Sequence, residues 1–143
     1  MSGSQEQSYR NHKMFSPLYH FGVMLIAPIV WIASVVYLIK DRFSYASVVL
    51  FGLSVCVVLL AVLVRTYALK LQDRIIRQEE NFRHMFLAGK PLDARLTMKQ
   101  IIALRFAEDE AFPALCTKAA ETGMSPDEIK KSITRWRADH YRV

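Results

Sequence analysis

FGVMLIAPIVWIASVVYLIKDRFSYASVVLFGLSVCVVLLAVLV, residues 21 to 64, holds only three charged side chains, and the three are adjacent: Lys40, Asp41 and Arg42. They divide the stretch into two apolar runs, Phe21 to Ile39 and Tyr45 to Val64, of nineteen and twenty residues. Wound as α-helix, each run is about 28–30 Å long, which matches the hydrocarbon thickness of a bilayer. A charge at the bilayer centre costs about 2.5–3.5 kcal/mol on insertion scales, so KDRFS predicts a turn at a membrane surface rather than one merged helix. The expected product is a transmembrane helical hairpin over residues 18–64, with spans at 21–39 and 45–64, preceded by a flexible segment over 1–17.

The first run exceeds the apolar core of about 7–15 residues usual in a secretory signal, and no A-x-A-like site follows it. It therefore reads as a retained anchor. Arg10, Lys13, Arg65, Lys70, Arg74 and Arg77 flank the terminal side of the hairpin, against Lys40 and Arg42 at the turn. That excess of basic residues places both termini in the cytoplasm. Cys56 lies in an apolar run and Cys116 in the charged region, and two unpaired thiols fit a reducing face. No Asp, Glu, Lys, Arg or His lies inside either run, and intramembrane ionisable residues are the usual mark of ion and proton paths. A transporter or channel built from this chain alone is thus disfavoured, as is haem held across the hairpin, because the second span lacks histidine and His20 sits at the edge of the first. Gly52 with Cys56, and Val30 with Ser34, offer small patches for helix packing. Pro28 is expected to free the carbonyl of Met24, and Trp31 lies near mid-span. These four positions, Pro28, Trp31, Gly52 and Cys56, are the expected packing residues of the membrane helices, within the hairpin or against another membrane subunit.

From Arg65 on, fifteen Lys and Arg residues stand against eleven Asp and Glu, four of the six net positive charges of the chain. No Gly or Pro interrupts the sequence from Val64 to Ala88, so the second span is expected to continue as a juxtamembrane helix over 65–88, stopped by Gly89 and Pro91. Asp73 with Arg77 and Glu79 with Arg83 stand four apart in the favourable order. Ala68, Leu71, Ile75, Gln78, Phe82 and Met85 follow alternating steps of three and four, an a/d seam short of three heptads and interrupted by Gln78. Leu69, Ile76 and Leu87 form a second, narrower stripe. One stripe can pack on the C-terminal region and the other on a partner, or the chain can cover both.

Residues 89–143 are expected to form a three-helix cytosolic cap. Thr97-Met98-Lys99-Gln100 is a capping box ahead of IIALRFA. Asp109 is the expected cap of a helix from Glu110 to Thr122, which Gly123 ends. Ser125-Pro126-Asp127-Glu128 opens a last helix running to the end of the chain. On that helix Ile129, Ile133, Trp136 and His140 share a core face, Lys131, Arg135 and Arg142 the opposite one, with Lys130 and Arg137 flanking. Three short helices ending in a basic one suggest a DNA reader. The residues that would meet the bases, however, are Asp127 and Glu128, and residues 108 to 128 carry six acids and one lysine. Nucleic acid is therefore disfavoured, and Lys130, Lys131, Arg135, Arg137 and Arg142 read as a solvated face or as a contact for anionic lipid or an acidic partner. His140 has no second ligand near it in sequence, and Glu80 with His84 is an incomplete metal site that reads as a solubilising pair. No nucleophile elbow, P-loop, HExxH or paired CxxC pattern occurs. The expected protein is not an enzyme, has no cofactor, metal or evident small-molecule substrate, and works with membrane lipid and a protein partner or its own copy.

RTYALKLQDRIIRQEENFRHM, LTMKQIIALRFAEDEAFPAL and SPDEIKKSITRWRADHYRV resemble a family of small bacterial two-span membrane proteins catalogued only as a domain of unknown function. The resemblance covers nearly the whole chain, most specifically from Arg65 on. It implies a hairpin with a cytosolic tail in a bacterial inner membrane, and it carries no activity and no functional residue.

Overall fold

The computed structural model describes residues 18–139, apart from the side chains of Leu18 and His20. Expectations placed on residues 1–17, His140 and Arg142, and on the side chain of His20, lie outside what is described. The described chain is helical: a π-helical stretch Leu18–Val23 leads into α1 (Met24–Lys40), followed by α2 (Tyr45–Ala88), α3 (Met98–Leu104), α4 (Phe112–Thr122) and α5 (Pro126–Ser132). Among the described residues the one strand-like feature is an isolated antiparallel bridge between Ala107 and Trp136. The chain divides into two compact units, with the boundary inside α2 between Leu69 and Lys70.

The first unit contains α1 and the N-terminal part of α2, two helices long and apolar enough to cross a membrane. Pro28 stands inside α1, where its missing N–H deprives the carbonyl of Met24 of its intrahelical donor. The connecting turn falls where the charges predict it. Arg42 and Phe43 take left-handed φ values of 49° and 59°, a conformation that costs an L-residue about 1–2 kcal/mol. Asp41 N–H donates to Tyr37 O at 2.9 Å and Phe43 N–H to Leu38 O at 3.1 Å, so the winding satisfies carbonyls at the end of α1. Ser44 then caps α2, its hydroxyl accepting from Ser47 N–H at 3.3 Å and bonding the Asp41 carboxylate.

No residue of α1 is buried, and between Tyr45 and Val64 only Ser47 and Ser54 are. The hydroxyls of Ser34 and Ser54 lie 2.8 Å apart and join α1 to α2. Each is also 2.7 Å from a carbonyl one turn back, Trp31 O and Phe51 O. Of the small patches expected to pack, that of Val30 and Ser34 contributes Ser34 to this contact, while Pro28, Trp31, Gly52 and Cys56 are exposed, and a Cβ added to Gly52 would meet nothing within 4 Å. Serine is nearly as small as glycine and can also hydrogen-bond, which suits Ser34 and Ser54 to this contact.

The second unit has a conventional apolar core. Ile76 of α2 packs with Leu96, Ile101, Ala103, Leu104, Phe106, Phe112, Cys116, Ala119, Ile129 and Ile133. Gly89, at φ 68°, ends α2 with its N–H on Met85 O at 2.9 Å, the left-handed stop that lacks a Cβ penalty in glycine. Both capping boxes form: Thr97 with Gln100 on α3, and Ser125 with Glu128 on α5. Gln100 does more than cap, since its side-chain amide donates to Met124 O at 2.8 Å and ties α3 to the turn before α5.

Two expectations are corrected here. α4 begins at Phe112 with Ala111 at the capping position and no side-chain cap, because Asp109 is engaged elsewhere. The last helix stops at Ser132 rather than running to the chain end. Ser132 Oγ bonds back to Ile129 O at 2.7 Å, and from Ile133 the backbone extends along the end of α3, with Arg137 N–H donating to Phe106 O at 2.8 Å. Side-chain competition for the backbone weakens the helix end, and the strand-like pairing replaces the lost helical bonds. Ile129, Ile133 and Trp136 still face the core, the last with its ring centroid 5.0 Å from that of Phe106. They do so along a helix followed by a strap. Replacing Ser125 by alanine should lower the stability of this unit by about 1 kcal/mol, the usual loss of an N-cap hydroxyl, read from denaturant unfolding of the purified chain.

Candidate functional site

A buried polar cluster forms where the C-terminal part of α2 meets the loops around α3 and α4. Its centre is Arg83, whose side chain is only 10% exposed. A guanidinium carries five N–H donors in a plane and cannot be neutralised, so burying it demands a partner for each donor. Nε donates to Asp109 Oδ1 at 2.7 Å, Nη1 to Glu80 Oε2 at 3.0 Å and to Arg105 O at 3.5 Å, and Nη2 to Ala107 O at 2.6 Å. Nη2 also lies 2.6 Å from Asp109 Oδ1. The face of the guanidinium covers the Phe112 ring, 4.1 Å from its centroid, a cation–π contact that adds to the edge-on hydrogen bonds. One acceptor, Arg105 O, is the C-cap carbonyl of α3, which the helix leaves without an intrahelical partner and where its dipole favours positive charge; the other, Ala107 O, lies just beyond the helix, at the bridge to Trp136.

The neighbours of Arg83 are locked in the same way. Glu80 is buried, and desolvation pushes its carboxyl above the usual range, opposed by the hydrogen bond and charge of Arg83 and by the charge of Arg137. Arg137 reaches it from the strap, Nη1 to Oε1 at 3.9 Å. His84 is also buried, with Nδ1 2.7 Å from Lys90 O and the ring edge-on to Phe112. A carbonyl can only accept, so Nδ1 carries the proton. Asn81 Oδ1 accepts from Leu92 N–H at 2.9 Å, so Asn81 and His84 together fasten the 89–92 turn to α2. Arg105 lies over Phe106 and within 3.3 Å of Asp139. Burial pushes the Cys116 thiol up to about 12, with the charge of Glu80 adding to it.

Sequence reasoning paired Arg83 with Glu79 and read Glu80 and His84 as solvated. The structure instead pairs Arg83 with Glu80 and Asp109 and buries both Glu80 and His84. The available signal was the crowding of Arg105, Glu108, Asp109 and Glu110 around Phe106 and Phe112, where charges beside core aromatics must be paired. Among the described residues no group of three or more His, Cys, Asp or Glu side chains is placed to hold a metal ion.

The other candidate residues fall apart spatially. Lys130 and Lys131 are on α5, Lys131 paired with Asp127 at 2.7 Å. Arg135 and Arg137 are on the strap, within 3.6 Å of Glu108 and 3.9 Å of Glu80 respectively. The single basic helix face therefore does not exist, because the helix that would carry it ends before Arg135. Beside Arg135 an open groove of about 230 Å³ is lined by Glu108, Leu115, Lys118 and Ile133, among others. Of the two stripes on α2, Ile76 is in the core, while Leu69 and Leu87 stay partly open. The seam is uncovered: Leu71 is 59% exposed, Ile75 50%, Phe82 75% and Met85 45%, with Gln78 exposed and Ala68 half-buried.

A protein family described as a family of unknown function (DUF6526) matches residues 1–143. The chain belongs to this family. Neither the curated proteins nor the solved structures yield a match. Family membership thus agrees with the sequence resemblance over the whole chain and assigns no role to any residue of the Arg83 cluster.

Arg83→Ala should lower stability by about 3 kcal/mol or more, since it strands a buried carboxylate, whereas Asp109→Asn at an exposed partner should change it by under about 1 kcal/mol; denaturant unfolding of both variants separates the two. Glu80 supplies a pH test. Its folded pKa lies above the unfolded one, so the fold binds the extra proton, and its stabilising contribution is complete below the unfolded value and lost as pH rises through the folded one. Glu80→Gln keeps an acceptor for Arg83 without that titration. Melting temperatures of the two proteins should therefore diverge in favour of Gln as pH rises from 4 to 8, with other carboxylates cancelling in the difference.

Proposed function

We propose that this chain is a non-enzymatic integral membrane protein that serves as an accessory or scaffold subunit. On this reading α1 and the first part of α2 form a transmembrane hairpin, α2 leaves the bilayer near Arg65, and the remainder lies in the cytoplasm of a bacterial cell with both termini on that side. The observation that supports it most is the inverted polarity of the first unit. A soluble protein buries its apolar helices, yet here Leu, Ile and Val side chains are exposed along both helices and the buried positions are serines. That distribution suits surroundings as apolar as the surface, where hydroxyls find their partners inside.

The scaffold role rests on the chemistry that the second unit keeps to itself. Arg83 makes four hydrogen bonds within the chain and a further ion-pair contact to Asp109; Glu80 and His84 are buried, and the Cys116 thiol is buried and held protonated. What faces outward is the apolar seam of α2. The alternative, binding of anionic lipid by Lys130, Lys131, Arg135 and Arg137, has weaker support because Lys131, Arg135 and Arg137 already face carboxylates and the four do not share a surface helix.

The test is purification of the full chain from native membranes in mild detergent with mass determination of the intact complex, beside the Leu71→Asp, Ile75→Asp double variant. The native chain should stay with membranes after alkaline carbonate washing and run as a complex larger than one copy. The variant should run as a single copy with an unchanged melting temperature. Release by carbonate would end the membrane reading, and a native single copy would end the scaffold reading.

A further inference from the structure

We infer that the exposed seam of α2 is a homodimer interface, in which two copies pair as a short parallel coiled coil over Leu71 to Met85. The inference rests on the membrane reading above and specifies the partner. Its first support is placement. Ile76, Glu80, Arg83 and His84 turn toward the core, and at 100° per residue Leu71, Ile75, Gln78, Phe82 and Met85 lie on the opposite side of the same helix. The face covered by the chain and the face left open are thus distinct, and the open one carries three-four spacing.

The charges beside the seam identify the occupant. With Ile75 and Phe82 at a and Leu71, Gln78 and Met85 at d, Arg74 falls at g and Glu79 at the following e position. In a parallel in-register dimer each g residue meets the e residue five places on in the partner. Arg74 of each copy then meets Glu79 of the other, and two-fold symmetry makes the pair twice. Both side chains are exposed, and among the described residues neither forms an ion pair within the chain. An antiparallel pairing loses this match, and two copies inserted in one membrane with the same topology present their helices parallel. Gln78 supports the same register, since a polar d residue is satisfied when it meets its own copy and penalises slipped pairings. Under three heptads is short for an independent coiled coil, so the pairing requires the confinement that membrane anchoring provides.

Cross-linking of the full chain in native membranes tests this, in a Cys56→Ser background with Cys116 buried. Residues at a and d meet their own copies, so Gln78→Cys should give a disulfide dimer on mild oxidation, while Arg77→Cys, exposed on the same helix but off the seam, should give little. Arg74→Glu or Glu79→Arg alone turns both attractions into repulsions and should weaken dimerisation by about tenfold, and the double charge swap should restore it. Equal cross-linking at positions 77 and 78, or single charge variants without effect, overturns the inference. If the chain resists carbonate but is monomeric, or its seam is filled by a different protein in stoichiometric amount, the homodimer falls and the membrane reading stands. Release of the chain by carbonate removes the membrane reading and the inference with it.

Discussion

The requirement that a buried guanidinium satisfy every donor organises the second unit. Arg83 sits on a helix, but its four acceptors come from different segments: Glu80 on its own helix, the Arg105 carbonyl that caps α3, the Ala107 carbonyl just beyond it, and the Asp109 carboxylate ahead of α4. None of these can shift far without stranding a charge in a poorly solvated site. The position of α3 and α4 against α2 is therefore fixed by directional bonds as well as by apolar packing, which alone is non-directional. The same demand explains why α4 starts late, since Asp109 serves Arg83 in place of capping its own helix. The strap is held beside the end of α3 by the bond from Arg137 N–H to Phe106 O, and there Arg137 adds a second cation near the buried Glu80.

The two units use opposite rules of burial along one uninterrupted helix. Up to Val64, α2 shows apolar side chains outside and serines inside; further along, it turns Ile76 into an apolar core and shows charges outside, apart from the seam. A single α-helix can do both because its backbone bonds are internal whatever surrounds it, so only the side chains need match the medium. Gly52 and Cys56 are exposed, and the contact between α1 and α2 runs through the hydroxyls of Ser34 and Ser54. On the membrane reading, the exposed face that includes Gly52 and Cys56 is directed at lipid or at another membrane helix.

α2 beyond Lys70 illustrates how two faces of one helix acquire different tasks. The seam is the longer and more regular of the two apolar stripes, yet the narrower one is the stripe that enters the core. The stripe containing Ile76 is flanked by Glu80, Arg83 and His84, polar groups that can bond the loops packed on it. The stripe from Leu71 to Met85 is flanked by Arg74 and Glu79, which have no such partners among the described residues. Hydrogen-bonding complementarity decides which face the chain covers.

Local features were legible without coordinates. The two apolar runs, the charged turn, the unbroken course of α2 to Gly89 and both capping boxes depend on interactions within about four residues, where spacing and residue type suffice. Membership of the family was legible for the same reason, as a pattern in the residues themselves. The tertiary structure alone decided where helices yield to something else. Asp109 leaves a cap for Arg83, and residues after Ser132 leave the helix to pair with Phe106 and Ala107. In both cases a partner more than twenty residues distant offers a bond that the local conformation forgoes, and no local pattern encodes the position of that partner.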